Sequence, residues 1–193
     1  NDFNSLDKII KTDKNIGTVI MEVKRNFVPK NNFLKKIREI CDRKKITLIF
    51  DECTSGFRET LGGIHKNYEV TPDMVVYGKA LGNGYPINAI VGKYDLMQCA
   101  KKSFMSSTFW SERIGFVAAL ATIKQMEKTK SWLHTKKIGK EIKIFWGKIF
   151  KKNNISAKIM GLDSIPTFIF KDNHILKKTF ITKELLNKRI LAG

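Results

Sequence analysis

Between the lysines Lys44-Lys45 and the acidic pair Asp51-Glu52 lies Thr47-Leu48-Ile49-Phe50, an apolar run without alternation. A run this short and uniform fits a strand buried on both faces, and such strands belong to parallel sheets covered by helices. Upstream, Gly17 to Glu22 is a second short strand, followed by a turn at Val28-Pro29. Phe33, Leu34, Ile37, Ile40 and Cys41 then recur on one helical face, with Asn31 or Asn32 placed to cap the helix. Met74 to Tyr77 and Asn88 to Val91 read as two further strands. Phe116 to Ile123 opens a long helical stretch that runs, with a break near Ser131, to Phe150. Strands with intervening helices predict an α/β architecture built on a mostly parallel sheet with helices on both faces. Beyond about residue 130 the texture changes. Ser156 to Met160 and Pro166 to Phe170 look like strands of a smaller α+β unit, with Thr182 to Leu191 a helix packed on it. The expected organisation is a larger domain over 1–130 and a connecting helix with the start of a smaller one over 131–193.

The chain has 193 residues, 42% of them hydrophobic, enough to bury one or two cores and too apolar for disorder. Cys41, Cys53 and Cys99 are odd in number and show no C-x-x-C spacing. That pattern speaks against a disulfide framework or structural zinc and for a reducing, cytoplasmic setting. No apolar run reaches the roughly 18 residues that span a bilayer, so no membrane partner is expected. The net charge of +18 raises nucleic acid as a partner. Lysine, however, far outnumbers arginine and is scattered in pairs such as Lys35-Lys36 and Lys151-Lys152, as on solvated surfaces, so no nucleic acid is expected. His65, His134 and His174 lack metal-ligand spacing and read as surface or capping residues. Phe104, Phe109, Trp110, Phe116, Trp132, Phe145 and Trp146 form no base-stacking pattern and read as core or interface residues.

In open α/β sheets, ligands bind beyond the carboxyl ends of the strands, where loops converge. Asp51 ends the strand Leu48-Ile49-Phe50, and Lys79 follows Met74 to Tyr77 in a glycine frame, Gly78-Lys79-Ala80-Leu81-Gly82-Asn83-Gly84. Both can reach one crevice. Leu48-Ile49-Phe50-Asp51-Glu52 also matches a Walker B strand, but that chemistry needs a phosphate loop ending in Gly-Lys-Ser or Gly-Lys-Thr. The two Gly-Lys pairs here are followed by Ala80 and Tyr94. A lysine so placed is suited to hold an aldehyde cofactor covalently.

Asp51-Glu52-Cys53-Thr54-Ser55-Gly56-Phe57-Arg58, then Thr71-Pro72-Asp73, then Gly78 through Pro86 resemble the class III aminotransferases in order and spacing, most of all the glutamate-1-semialdehyde aminomutases. The likeness extends from the strand containing Glu22 to Phe180-Ile181-Thr182-Lys183-Glu184-Leu185-Leu186. It implies a fold type I enzyme using pyridoxal 5'-phosphate, moving an amino group between an amino donor and a carbonyl acceptor, or within one substrate as an aminomutase. In that setting Lys79 anchors the cofactor and shuttles protons, Asp51 faces the pyridine nitrogen, and Cys53 packs against the ring where many relatives carry an aliphatic residue. Glu52 braces the neighbouring loop.

Thr108, in Ser106-Ser107-Thr108-Phe109-Trp110 before a helix starting near Ser111, is implied to reach a partner's cofactor site across a homodimer. The run Phe109-Trp110-Ser111-Glu112-Arg113 departs from the small residues of the aminomutases and leans toward other amino-transferring relatives. The family's glycine-hydroxyl phosphate loop and ring-stacking aromatic do not occur between Asn1 and Ile20. The expectation is therefore a fragment of a longer chain. The alternatives are a basic nucleic-acid-binding protein or an inactive interaction fragment.

Overall fold

A computed structural model of the chain describes residues 2–106, 108, 109 and 112–191. It divides into two compact units, Asn1–Lys136 and Lys137–Gly193.

The first unit is built on four strands: β1 (Thr18–Met21), β2 (Thr47–Asp51), β3 (Met74–Tyr77) and β4 (Ala89–Gly92), in that order across the sheet. β1, β2 and β3 run parallel and β4 is antiparallel to β3. Parallel neighbours need a crossover, and α2 (Phe33–Lys44) supplies it between β1 and β2. Its stripe Leu34, Ile37, Ile40 and Cys41 is buried, as are Leu48 and Phe50 of β2, against which α2 packs. Burial of the apolar run is complete on that face only. Ile49 on the opposite face is half-buried, and its β1 neighbour Ile20 is 62% exposed.

Asn32 occupies the N-cap of α2 in the left-handed conformation, but its side chain makes no capping bond; its carbonyl accepts from Lys36 instead. A first helix, α1 (Phe3–Thr12), escaped the sequence reading. It is started by Asp2, whose carboxylate accepts from the Ser5 amide at 3.0 Å and the Ser5 hydroxyl at 2.6 Å. Phe3 and Leu6, half-buried, and Ile10, buried, recur on one face at helical spacing, so the stripe that betrays a helix was present in the sequence and was passed over. The short helix α3 (Tyr94–Gln98) follows β4, and α4 (Arg113–Thr129) ends at Lys130, whose left-handed backbone breaks it from α5 (Ser131–Lys152).

Asp73, just before β3, ties the sheet to its crossover. Its Oδ2 accepts from the Leu48 amide at 2.8 Å and from Arg38 Nη1 of α2 at 2.9 Å, and its Oδ1 pairs with Lys93 Nζ at 2.6 Å. Burial disfavours the charged carboxylate, but the Leu48 amide, Lys93 and Arg38 outweigh it and hold the acid below its ordinary value. Asp73→Ala leaves the buried Leu48 amide without its acceptor and reduces Arg38 to its pairing with Asp42 at 2.8 Å. The expected loss is about 2–4 kcal/mol in urea unfolding; a change under about 1 kcal/mol would show that the anchor is dispensable.

The second unit continues α5 into an antiparallel hairpin, β5 (Ala157–Leu162) and β6 (Ile165–Phe170), followed by α6 (His174–Asn187). Its core is aromatic: Phe168 meets Trp146, Phe150 and Phe170 edge-on at 5.0–5.4 Å between ring centres. Gly139 of α5 lies against the Asp163 carbonyl of the hairpin turn, where a Cβ would collide with it. α6 begins eight residues before the helix expected over Thr182 to Leu191. Ile175 and Leu176 of its first turn are 81% and 71% exposed and no residue of α6 is fully buried, so the periodic signal was missing there. The aromatic expectation held for Trp146, whereas Phe104, Phe109, Phe116 and Phe145 are largely exposed and Trp110 lies outside the described residues. Among the described residues no helix is long and apolar enough to cross a membrane.

Candidate functional site at the carboxyl ends of β2 and β3

The parallel pairing of β2 with β3 sets Asp51 opposite Val76, and the Glu52 amide extends the ladder by donating to the Val76 carbonyl at 2.9 Å. Asp51 and the turn after Tyr77 therefore leave the sheet side by side. Beyond this point the two segments are held by different devices.

After β2 the chain makes a loop closed by one buried carboxylate. Glu52 is wholly inaccessible; its Oε2 accepts from the Ile64 amide at 2.5 Å and the Ser55 hydroxyl at 3.1 Å, and its Oε1 from the His65 amide at 3.0 Å. His65 Nδ1 lies 2.5 Å from Oε1 and, against an ionised carboxylate, must carry the proton. His65 is thus a buried partner, where surface or capping placement was expected. Burial pushes the Glu52 carboxyl upward, but its His65 and Ile64 bonds more than compensate and hold it below its ordinary value. Gly56 crosses the Tyr77 ring so closely that a Cβ would stand 2.7 Å from Cδ1. Burial beside the Glu52 charge pushes the Tyr77 phenol up to about 12.

After β3, Gly78 is extended and Lys79 opens a single 3-10 turn, Lys79–Leu81, with φ at +44°. A left-handed lysine is uncommon and points to a constraint on where its side chain must go. Lys79 Nζ donates to Thr54 Oγ1 at 3.2 Å and to Cys53 Sγ at 3.3 Å. Cys53 is itself fixed by its amide, which donates to Asp51 Oδ1 at 3.0 Å. Asp51, Cys53, Thr54 and Lys79 form one linked group. Among the described residues, neither the Asp51 carboxylate nor the Lys79 amine has an ion-pair partner, although cations outnumber anions 36 to 18.

Gly78 makes this meeting possible: a Cβ there would collide with Asn88 Oδ1 and stand 2.8 Å from Cys53 Sγ. Gly78→Ala is expected to cost about 1–3 kcal/mol by overpacking. It should also slow labelling of Lys79 by an aldehyde reagent; unchanged labelling would show that the glycine does not position the lysine.

Thr108 is exposed, and among the described residues no hydrogen bond joins it to this group. The helix after it begins at Arg113 and is capped by Glu112, whose side chain accepts from the Ile114 amide, so Thr108 does not cap it. Ser107 and Ser111, of the same expectation, lie outside the described residues. Sequence reasoning missed Thr54, His65 and the Asp73 anchor. The available signal was an acidic residue directly after a buried strand, which must find partners inside. Among the described residues no group of three or more His, Cys, Asp or Glu is placed to hold a metal.

The sequence profile of the family "Aminotransferase class-III" matches residues 3–188. The chain belongs to that family. It is 36% identical over 183 residues to the 3-aminobutyryl-CoA aminotransferase of Cloacimonas acidaminovorans, covering 89% of this chain and 43% of the relative. It is 33% identical over 184 residues to the glutamate-1-semialdehyde 2,1-aminomutase of Methanocaldococcus jannaschii, covering 91% and 43%. This class III chain thus spans less than half the length of those relatives. Among solved structures, FumI of Sphingopyxis sp. MTA144 in its PLP form superposes with a TM-score of 0.90 at 21% identity, over all of this chain and 48% of that one. The ornithine aminotransferase of Plasmodium yoelii gives 0.86 at 23%, over 100% and 52%. At these identities the structural likeness establishes the α/β transferase fold alone.

Proposed function

We propose that the protein carrying this chain is a pyridoxal 5'-phosphate-dependent aminotransferase, or an aminomutase of the glutamate-1-semialdehyde kind, with Lys79 at its catalytic centre. The observation that carries the reading is the linked group at the strand ends: a left-handed Lys79 whose amine donates to Thr54 and Cys53, next to an Asp51 carboxylate, neither of the two having an ion-pair partner among the described residues. This donor set fits the cofactor, for it offers an amine for an aldehyde, a carboxylate for a protonated ring nitrogen and a soft side chain for a ring face. When bound, the cofactor supplies an aldehyde that takes up amino groups and a ring that withdraws electrons from the adjoining carbon.

Lys79 would hold the cofactor through its amine and, when that amine is free, would act as base and then acid, moving a proton at the carbon that bears the substrate's amino group. Asp51, fixed by the Cys53 amide, would face the ring nitrogen and favour its protonated form. Cys53 would pack beside the ring, and Thr108 would serve the partner's site in a homodimer. An amino donor and a carbonyl acceptor are the substrates, and the enzyme works in the cytoplasm. The nucleic-acid alternative has no observation in its favour.

Addition of pyridoxal 5'-phosphate to the purified protein should produce an absorption band near roughly 410–430 nm. Borohydride reduction followed by peptide mapping should then find the label on Lys79; a label on another lysine sinks the reading. Asp51→Asn is expected to retain covalent capture while slowing the half-reaction with an amino donor by about 10²–10⁴-fold, followed as decay of the band. A rate within about threefold of wild type would remove Asp51 from the ring-nitrogen role.

A further inference from the structure

The contact between Lys79 Nζ and Cys53 Sγ has a chemistry of its own. The chain holds three cysteines in distinct settings. Cys41 is wholly buried within α2, and burial pushes its thiol up. Cys99 is exposed, its Sγ 3.8 Å from the Asp95 carbonyl. Cys53 is half-buried, and among the described residues it alone has a lysine amine in contact, at 3.3 Å. Both side chains spring from fixed backbone. Cys53 is held by its amide bond to Asp51 Oδ1, and its sulfur packs against Gly78, where a Cβ would stand at 2.8 Å. Lys79 is set by the turn that follows Gly78. The nucleophilic nitrogen and the oxidisable sulfur are thus prearranged, and closing the remaining gap needs only lysine rotamer changes.

We propose that Cys53 and Lys79 form a reversible sulfur–nitrogen cross-link under peroxide, which locks the site when Lys79 is free. In the first step the Cys53 thiolate attacks hydrogen peroxide: the thiol and H₂O₂ give the sulfenic acid and water, sulfur being oxidised and peroxide reduced. In the second, the unprotonated Lys79 amine attacks that sulfur; the S–N bond forms, the S–O bond breaks, and hydroxide leaves with an amine proton as water. The sum is loss of one hydrogen from each partner. Two equivalents of a thiol reverse it, giving back the Cys53 thiol and the Lys79 amine and leaving as a disulfide.

The cross-link removes the amine that would take up the cofactor aldehyde, so oxidation switches the site off and thiols restore it. This consequence rests on the reading of Lys79 as the cofactor's anchor; the cross-link itself rests only on the Cys53–Lys79 contact. Cofactor already held by Lys79 occupies the nitrogen and protects the pair.

The test uses the purified protein, freed of cofactor, exposed to hydrogen peroxide, digested and examined by mass spectrometry. The expected product joins the Cys53 and Lys79 peptides at two hydrogens less than their sum, comes apart with dithiothreitol, and is suppressed by preloading with pyridoxal 5'-phosphate. Capture of that cofactor at Lys79, trapped with borohydride, should fall at least about tenfold after peroxide and return with dithiothreitol. In Lys79→Gln the joined peptide should vanish and Cys53 should persist as a sulfenic acid trapped by dimedone. In Cys53→Val peroxide should leave Lys79 open to labelling.

The proposal is overturned if Cys53 passes to sulfinic or sulfonic acid with the Lys79 peptide unjoined, or if Lys79→Gln still yields the joined mass. If the cross-link forms but Lys79 never captures cofactor in unoxidised protein, the functional reading fails and the cross-link stands. Capture without any cross-link overturns the cross-link and leaves the functional reading in place.

Discussion

Lys79→Ala is expected to abolish covalent capture of pyridoxal 5'-phosphate and to lower transamination by on the order of 10⁴-fold or more, because in the proposed function one amine serves as anchor and as proton carrier. The fold should survive the change. Lys79 makes no ion pair among the described residues, and its two hydrogen bonds go to the partly exposed Thr54 and Cys53. Removing a left-handed side chain relieves no backbone strain, since alanine shares the constraint at φ +44°. Unfolding midpoints should therefore move little while the borohydride-stable label disappears. Two measurements decide it: absorbance with peptide mapping for attachment, and a single-turnover half-reaction for the proton step. Added alkylamines should restore part of the proton step in the variant without restoring the label, which separates the two duties. A variant that still carries reducible cofactor, or reacts within about tenfold of wild type, would displace Lys79 from the mechanism.

Glu52→Ala is the largest stability effect expected. Its carboxylate collects the amides of Ile64 and His65, the Ser55 hydroxyl and the His65 ring in a space closed to water. Removing it strands four donors at once, at a cost of about 3–5 kcal/mol. That is a large share of the roughly 5–15 kcal/mol by which a domain is stable. Glu52→Gln keeps the shape but turns an amino group toward donors, so it should be only partly milder.

The pH dependence gives a second check. Folding lowers the Glu52 carboxyl below its ordinary 4.5, because the His65 and Ile64 bonds outweigh burial. A lowered folded value means that the contribution is fully present above 4.5 and is lost as the pH falls from there through the lower folded value. The stability gap between wild type and Glu52→Gln should accordingly be flat near neutrality and narrow in acid. A gap that is constant with pH, or smaller than about 1 kcal/mol at pH 7, would show that the charge is not what closes the loop. Since Cys53 and Thr54 follow Glu52 directly, the same variant should also loosen the surroundings of Lys79.

Much of this was legible in the chain. β3 was read at its observed bounds and β1, β2 and β4 within a residue of theirs, because a parallel sheet writes its strands as short apolar runs. The break between α4 and α5 fell where expected, at Lys130. The readings that failed have different causes. α1 carried its period in Phe3, Leu6 and Ile10 and was passed over, whereas α6 presents no fully buried residue, and without a buried face a helix has little sequence period to detect. His65 was read as peripheral because nothing near it in sequence is its partner; Glu52 stands 13 residues away.

The sequence by itself determined the strands, the glycine frame of Lys79 and the acidic residue at the end of β2, since each is a local pattern of residue type and spacing. Only the tertiary structure decided that Lys79 meets Cys53 and Thr54, that Glu52 closes its loop on His65, and that Asp73 joins Arg38, Lys93 and the Leu48 amide. Those contacts depend on strand register and on how each loop returns to the sheet. Both are set by packing the whole unit at once, so no stretch of neighbouring residues contains them.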